Sequence, residues 1–314
     1  MGLLKMMKNT KKMNKMKNIL AGIFCMFSLL ATAQDYKLMW EDNFDKPVLD
    51  ASNWNVIVSG NGGGNRELEF YRRENISTGN EPVTGESCLI ITAKKENYRL
   101  KPATSGRLST QNKVTFKYGK VEARIKMPKT ANGLWPAFWM LGNDFPKVVW
   151  PKCGEIDIAE MGNKNAILNG TQDRYFNGAC HWGEKFNHGK YPNYGKSTTN
   201  SYSLQDDFHL YTLIWDSLAI KMFLDLDKYP TNPPYFEMPI IANNLPDDPG
   251  RYFHKQFFII FNMAVGGNFP NIRNINKITA LKAGDVKMYV DYVRVYQKGL
   301  PNEKFNKTSK IENP

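Results

Sequence analysis

Apolar and polar side chains alternate at every second position in short runs along most of the chain, the period of strands with one face buried. The clearest run is Tyr118-Gly-Lys-Val-Glu-Ala-Arg-Ile-Lys-Met127. It sets Val121, Ala123, Ile125 and Met127 on one face against Lys120, Glu122, Arg124 and Lys126 on the other. The run from Cys88 to Lys94 alternates only loosely, as a mostly buried strand does. Tyr211–Trp215, Ile220–Leu224, Phe257–Met263 and Met288–Tyr296 continue the series. Helical periodicity is hard to find, and Gly, Pro and Asn clusters separate the runs. The pattern predicts an all-β sandwich or jelly roll. Asn163 to Asn177 and Tyr229 to Arg251 lack it and are expected as long loops at the rims.

Both ends of the chain break the pattern. Lys5, Lys8, Lys11, Lys12, Lys15 and Lys17 precede an apolar stretch from Ile19 to Leu30, and Ala31-Thr32-Ala33 supplies the small-x-small pattern of a signal-peptidase site. Residues 1–33 therefore read as a signal peptide cleaved before Gln34, with the protein exported to the periplasm or the medium. The apolar stretch is shorter than the ~20 residues of a membrane-spanning helix. Phe24 is bulky where a lipidation site at Cys25 would need a small residue, so no membrane association is expected after cleavage. After Gln297, residues 298–314 are polar and read as a disordered tail. The body, residues 34–297, shows no repeat or linker and fits one all-β domain.

Charge and cysteines narrow the classes. The six leader lysines, with no acid among them, account for half of the net +12. The remainder forms no arginine-rich stripe, which argues against a nucleic-acid partner. Cys88, Cys153 and Cys180 remain in the body, an odd number at spacings that fit no zinc pattern. Neither a disulfide framework nor zinc organises such a chain. One bridge, Cys153 to Cys180, is an alternative to three free buried thiols, and the free thiols are the preferred reading.

One segment puts chemistry into the strand pattern. Gly154-Glu-Ile-Asp-Ile-Ala-Glu160 places Glu155 and Asp157 on one face of an extended strand and Ile156 and Ile158 on the other. Acids this close on a largely apolar strand repel one another and lose hydration. Strict alternation turns Glu160 to the opposite face. A β-bulge at Ile158 or Ala159 would absorb one residue and bring it round. The two glutamates could then act as nucleophile and proton donor of a double displacement, which needs carboxyls about 5–5.5 Å apart. Asp157 would adjust the nucleophile's ionisation, and like-charge coupling would keep the donor protonated near neutral pH. Spacing alone leaves a second reading open: a solvated acidic edge, or a calcium site of hard oxygen ligands.

The segment resembles the bulged Glu-x-Asp-x-x-Glu signature of glycoside hydrolase family 16, in its laminarinase-like (endo-β-1,3-glucanase) branch. Asn65-Arg-Glu-Leu-Glu-Phe-Tyr71, Ser105-Gly-Arg-Leu108, Gly133-Leu-Trp-Pro-Ala-Phe-Trp139 and Trp150-Pro-Lys-Cys-Gly-Glu155 are similar to that branch, as are His181-Trp-Gly183 and Asn262-Met-Ala-Val-Gly-Gly267. The resemblance covers nearly the whole body. It implies a β-jelly roll of two stacked antiparallel sheets with a substrate cleft on the concave one. By it, Glu155 is the nucleophile, Asp157 its partner and Glu160 the acid/base, with His181 beside the acid/base. Trp135 and Trp139, of equal strand parity, would face the cleft and with Trp150 stack on sugar rings. Arg107 and Asn65 would bond hydroxyls on the non-reducing side, joined by Asn262. No cofactor is required; Glu41 and Asp291 are candidates for a structural calcium ion on the convex face. Trp54, Trp182, Trp215, His209 and His254 read as packing instead.

The expectation is a monomeric retaining endo-hydrolase of β-1,3-glucan (laminarin) or mixed β-1,3/1,4-glucan, with polysaccharide as its partner. A galactan hydrolase of the agarase or carrageenase kind is the neighbouring alternative. A non-catalytic glycan-binding protein is the rival of a different class, and its mark would be a missing glutamate.

Overall fold

A computed structural model describes residues 35–186, 190–243 and 245–308. The expected signal peptide lies outside these residues. From Lys37 onward the chain builds two large antiparallel sheets.

One sheet runs in the order Asn193–Thr199, Tyr175–His181, Glu155–Met161, Leu134–Gly142, Phe257–Val265, Arg107–Ser109, Asn55–Val56. The other runs Phe236–Pro239, Ala219–Leu224, His209–Trp215, Gly119–Lys126, Val286–Gln297, Ser87–Ala93, Ile76–Asn80, with Lys37–Asp42 also on Val286–Gln297. Alternation determines which residues lie between the sheets. In Gly119–Lys126 the apolar side chains of Val121, Ala123 and Ile125 are fully buried while their polar neighbours are half-buried outside. From the opposite sheet, Phe138, Ile156, Phe176, Phe257 and Phe261 join the same apolar cluster. Each large buried side chain contributes roughly 1.5–3 kcal/mol relative to exposure, so the cluster fixes which face of each strand points outward. Trp54, Trp182 and Trp215 belong to this core, as their sequence context suggested.

Several expectations are revised. The stretch from Asn163 to Asn177 is not a plain loop. It opens with a helix, Lys164–Asn169, capped by the Asn163 side chain on Asn165 N and closed by Gly170 in the left-handed region. It ends in the strand that begins at Tyr175. Tyr229 to Arg251 likewise contains the edge strand Phe236–Pro239. The described residues after Gln297, 298–308, include a strand where a disordered tail was expected: Lys304–Lys307 pairs with Val114–Lys117, and residues 309–314 of that expected tail lie outside the described residues. The Glu303 carboxylate accepts from the backbone N–H groups of Lys298, Gly299 and Leu300, and Gln297 Nε2 donates to Lys117, Tyr118 and Lys304 carbonyls. These bonds hold a polar segment that carries almost no apolar pattern.

Cys88, Cys153 and Cys180 are free and buried, so no Cys153–Cys180 bridge forms. The calcium candidates are held by arginines. Asp291 accepts from Arg124 at 2.6 Å, and Glu41 accepts from Arg294 at 3.0 Å. Each carboxylate already has a cationic partner, and the two do not fit a calcium site as they stand.

Candidate active site

The Glu155–Met161 strand carries the predicted bulge. Asp157 lies opposite Trp139 on one neighbour and Ala179 on the other, while Glu160 lies opposite Ala137 and Asn177. Three residues advance on this strand where two advance on each partner. Ile158 and Ala159 take up the excess and both stay buried in the inter-sheet core. The Tyr235 hydroxyl donates to the Ile158 carbonyl, fixing the distorted backbone. Glu160 therefore returns to the outer face, together with Glu155 and Asp157.

Each acid has a distinct set of partners. Both oxygens of Glu160 accept hydrogen bonds from neutral donors: Trp135 Nε1 at 2.8 Å and Asn177 Nδ2 at 2.9 Å. Two donors fix the plane of the carboxyl group and leave its remaining lone pairs for the ligand. His181 faces Glu155 across the strand pair, with Nε2 3.1 Å from Asp157 and 3.9 Å from Glu155. The direct contacts of His181 are with Asp157 and Glu155, and from there its charge also acts on Glu160, near which the resemblance had put it. Ligand atoms of Glu155, Asp157 and His181 lie within 4.8 Å of one another, the one such grouping able to bracket a metal ion among the described residues.

Burial first, and then the charge of Asp157, pushes Glu155 and Glu160 up to about 8; burial pushes Asp157 up to about 8. His181 opposes the rise for Glu155, and Trp135, His181 and Asn177 oppose it for Glu160. Three acids coupled this way share their protons as one system. As the pH rises through about 8 the cluster holds carboxylic acid and carboxylate side by side, the pair that general acid catalysis and nucleophilic attack both require.

Toward the Arg107–Ser109 side the same face continues as a polar-aromatic patch. Trp139 Nε1 donates to Asn262 Oδ1 at 2.7 Å. Asn262 Nδ2 donates to the Tyr71 hydroxyl, which donates to Glu67 at 3.0 Å. Arg107, opposite Asn262 in register, lies over the Trp139 ring at 4.7 Å. Toward the other side, Trp150 packs edge-on to Tyr191 at 4.6 Å and near Phe186, with His181 6.4 Å away. Trp135 and Trp139 share the outer face as expected, but one face of Trp135 is covered by Phe269, stacked at 4.7 Å. Asn65 turns its Nδ2 back to Gly63 O at 3.4 Å, and its carbonyl accepts from Asn268 N on the loop that carries Phe269.

The sequence does not single out Asn177, Tyr71 or Tyr191 for the site, and it marks Phe269 only as the aromatic of Gly266-Gly-Asn-Phe-Pro270, displaced from its usual place after the double glycine. Asn177 was assigned to a loop, because Tyr175-Phe-Asn-Gly-Ala179 carries little alternation. Tyr71 closes the Asn65–Tyr71 motif, and parity with Glu67 and Glu69 was the available signal. Tyr191 and Phe269 lie on connections, where no periodicity applies.

Comparison with known proteins agrees with this geometry. Residues 70–244 match the family model described as Glycosyl hydrolases family 16. Clotting factor G alpha subunit of Tachypleus tridentatus is 36% identical over 268 residues, 83% of this chain but 34% of its own length, so this chain spans about a third of that relative. A family 16 enzyme from a Bacteroides ovatus mixed-linkage glucan locus, solved with the product G4G4G3G, is 36% identical with a TM-score of 0.71, covering 82% of this chain and 100% of that one. The laminarinase of Rhodothermus marinus is 32% identical with a TM-score of 0.68, covering 84% and 98%. A model matched over more than half the chain, and solved relatives matched over nearly all of theirs, leave one conclusion: the chain belongs to glycosyl hydrolases family 16.

Proposed function

We propose that the protein is an endo-acting, retaining hydrolase of β-1,3-glucan or mixed β-1,3/1,4-glucan. The observation that carries this reading is the bulge, which puts Glu155, Asp157 and Glu160 on one outer face with His181 and two carboxyl-orienting donors. Glu155 attacks the anomeric carbon while Glu160 protonates the departing glycosidic oxygen, and a glycosyl-enzyme ester forms. Glu160, now ionised, takes a proton from water as that water attacks the anomeric carbon and releases Glu155. Asp157, 3.1 Å from His181 Nε2, lies next to the nucleophile and modulates its ionisation. The aromatic and polar groups around Trp139, Asn262 and Arg107 offer a stacking surface and hydroxyl-binding groups for pyranose rings.

The glucan preference draws on the relatives, among them a laminarinase and an enzyme solved with a mixed-linkage product. The test is to incubate the protein with laminarin, barley β-glucan, agarose and carrageenan, size the products and follow the first-formed anomer by NMR. Oligosaccharides from a glucan, released as the β-anomer, are expected. Release of the α-anomer would overturn the double displacement. Cleavage of agarose or carrageenan alone would overturn the glucan assignment, and activity on none would favour a binding protein.

A further inference from the structure

We propose that Phe269 is a positioning residue for the proton donor: stacked on Trp135, it holds the indole so that its Nε1 reaches Glu160. This rests on Glu160 being the acid/base. The rings of Phe269 and Trp135 lie 4.7 Å apart with only 16° between their planes. Trp135 Nε1 donates to Glu160 Oε1 at 2.8 Å. The indole therefore links an aromatic side chain on a loop to the carboxyl at the centre of the site.

The loop that carries Phe269 is anchored at several points. Gly266 N bonds Gly133 O at 2.6 Å, just before the strand that holds Trp135. Gly267 and Ile272 exchange backbone hydrogen bonds across the loop, and Asn268 N bonds Asn65 O at 2.8 Å. Both glycines are in the left-handed region, and a Cβ on Gly266 would meet Ile272 O at 2.6 Å. Phe269 also accepts from Lys164 N at 3.0 Å, on the segment that leaves the strand just past Glu160. One residue thus touches the carboxyl's neighbour through its ring and the carboxyl's own strand exit through its carbonyl. With Phe269 against one face, Trp135 can present only its other face and its edge to a sugar.

The consequence is testable because the Trp135 hydrogen bond favours ionised Glu160. The groups facing Glu160 are Asp157 and Glu155 on its own strand, His181 and Asn177 on the next, Trp135 on the other side, and Tyr191 beyond. Releasing Trp135 removes one of the influences that lower Glu160, so the alkaline limb of the rate profile should move to higher pH. The orientation of the carboxyl is lost at the same time, which lowers kcat more than it changes KM.

The experiment measures kcat, KM and the pH dependence of kcat/KM on laminarin or barley β-glucan for Phe269→Ala, Phe269→Tyr, Trp135→Phe and Phe269→Ala combined with Trp135→Phe. Phe269→Ala should lower kcat about tenfold and raise the alkaline limb, and Phe269→Tyr, which keeps the ring, should restore both. In the Trp135→Phe background, Phe269→Ala should add less than about twofold, because the two act as one unit. Wild-type kcat and pH profile in Phe269→Ala, or fully multiplicative effects in the double variant, would overturn the proposal. If Phe269→Ala fails to fold, Phe269→Leu keeps the apolar volume without a flat ring and is judged by the same outcomes. Glu160→Gln separates the two levels: if it keeps normal turnover, the acid/base assignment fails. If it is inactive while Phe269→Ala behaves as wild type, only the positioning role fails.

Discussion

Asn177 gives the cleanest perturbation of the site, because its side chain makes a single hydrogen bond there. Its Nδ2 donates to Glu160 Oε2 at 2.9 Å, while its Oδ1 is buried with no partner. Truncation to alanine therefore removes one donor to Glu160 and forfeits no other bond. Both side chains are buried, at 7% exposure each, so water only partly replaces what is lost. A hydrogen bond to an ionised group contributes about 1.5–3 kcal/mol. With about 1.4 kcal/mol for each pH unit, the upper expectation is a shift of about two units. Water entering the vacated space reduces this to about one unit. The sign follows from the charge form that is stabilised. Asn177 favours the carboxylate, so its loss raises Glu160 further above the ordinary range. The first chemical step needs Glu160 protonated, so the alkaline limb of kcat/KM, which reports the free enzyme, moves up by about one pH unit. Initial rates on laminarin or barley β-glucan from pH 4 to 10 measure it. An alkaline limb unchanged from wild type, in a variant shown to be folded, would refute the view that Asn177 sets the ionisation of the proton donor.

Much of the scaffold was legible because one face of each strand is buried and a period of two is then enforced by the core. Gly119–Lys126 follows the sequence pattern at every position, and its apolar set is the buried set. The catalytic strand was legible for the opposite reason. Its acids violate the pattern, and the parity of Glu160 required the bulge that the register shift between Asp157 and Glu160 displays. What stayed hidden depends on contacts between segments distant in sequence. Asn177 meets Glu160 only because Tyr175–His181 becomes the neighbouring strand, and Phe269 meets Trp135 only through the backbone path of a glycine-led loop. Lys304–Lys307 pairs as an edge strand held by a glutamate and a glutamine, polar contacts with no periodic signature. Strand order likewise sets the direct contacts of His181, which lies opposite Glu155 and 3.1 Å from Asp157.

Two further predictions address the acids as a group. Glu155, Asp157 and Glu160 are all raised in the folded protein, so their contribution to stability is present below their unfolded values near 4 and is lost as pH rises toward about 8. Glu155→Gln removes one charge from the coupled set. It should lose all but a trace of turnover, and its Tm should fall less than that of wild type between pH 5 and pH 8, by roughly 2–4 °C for about 1 kcal/mol; parallel Tm curves would refute the coupling. The second prediction concerns the bulge itself. Deleting Ala159 leaves Glu155-Ile-Asp-Ile-Glu, a strand in which strict alternation already places all three acids on one face. Such a variant should keep kcat/KM within about 100-fold of wild type, the cost of a displacement of about 1 Å. Inserting one alanine after Ala159 either keeps the bulge and turns Glu160 toward the apolar core, or removes the bulge and carries Glu160 two positions further along the strand from Glu155; both outcomes should abolish activity. If the bulge serves to bring Glu160 onto the face of Glu155 and Asp157, deletion must be the milder change. A folded deletion variant with no activity would show that the bulge supplies something more than parity, such as the Ile158 carbonyl that Tyr235 holds.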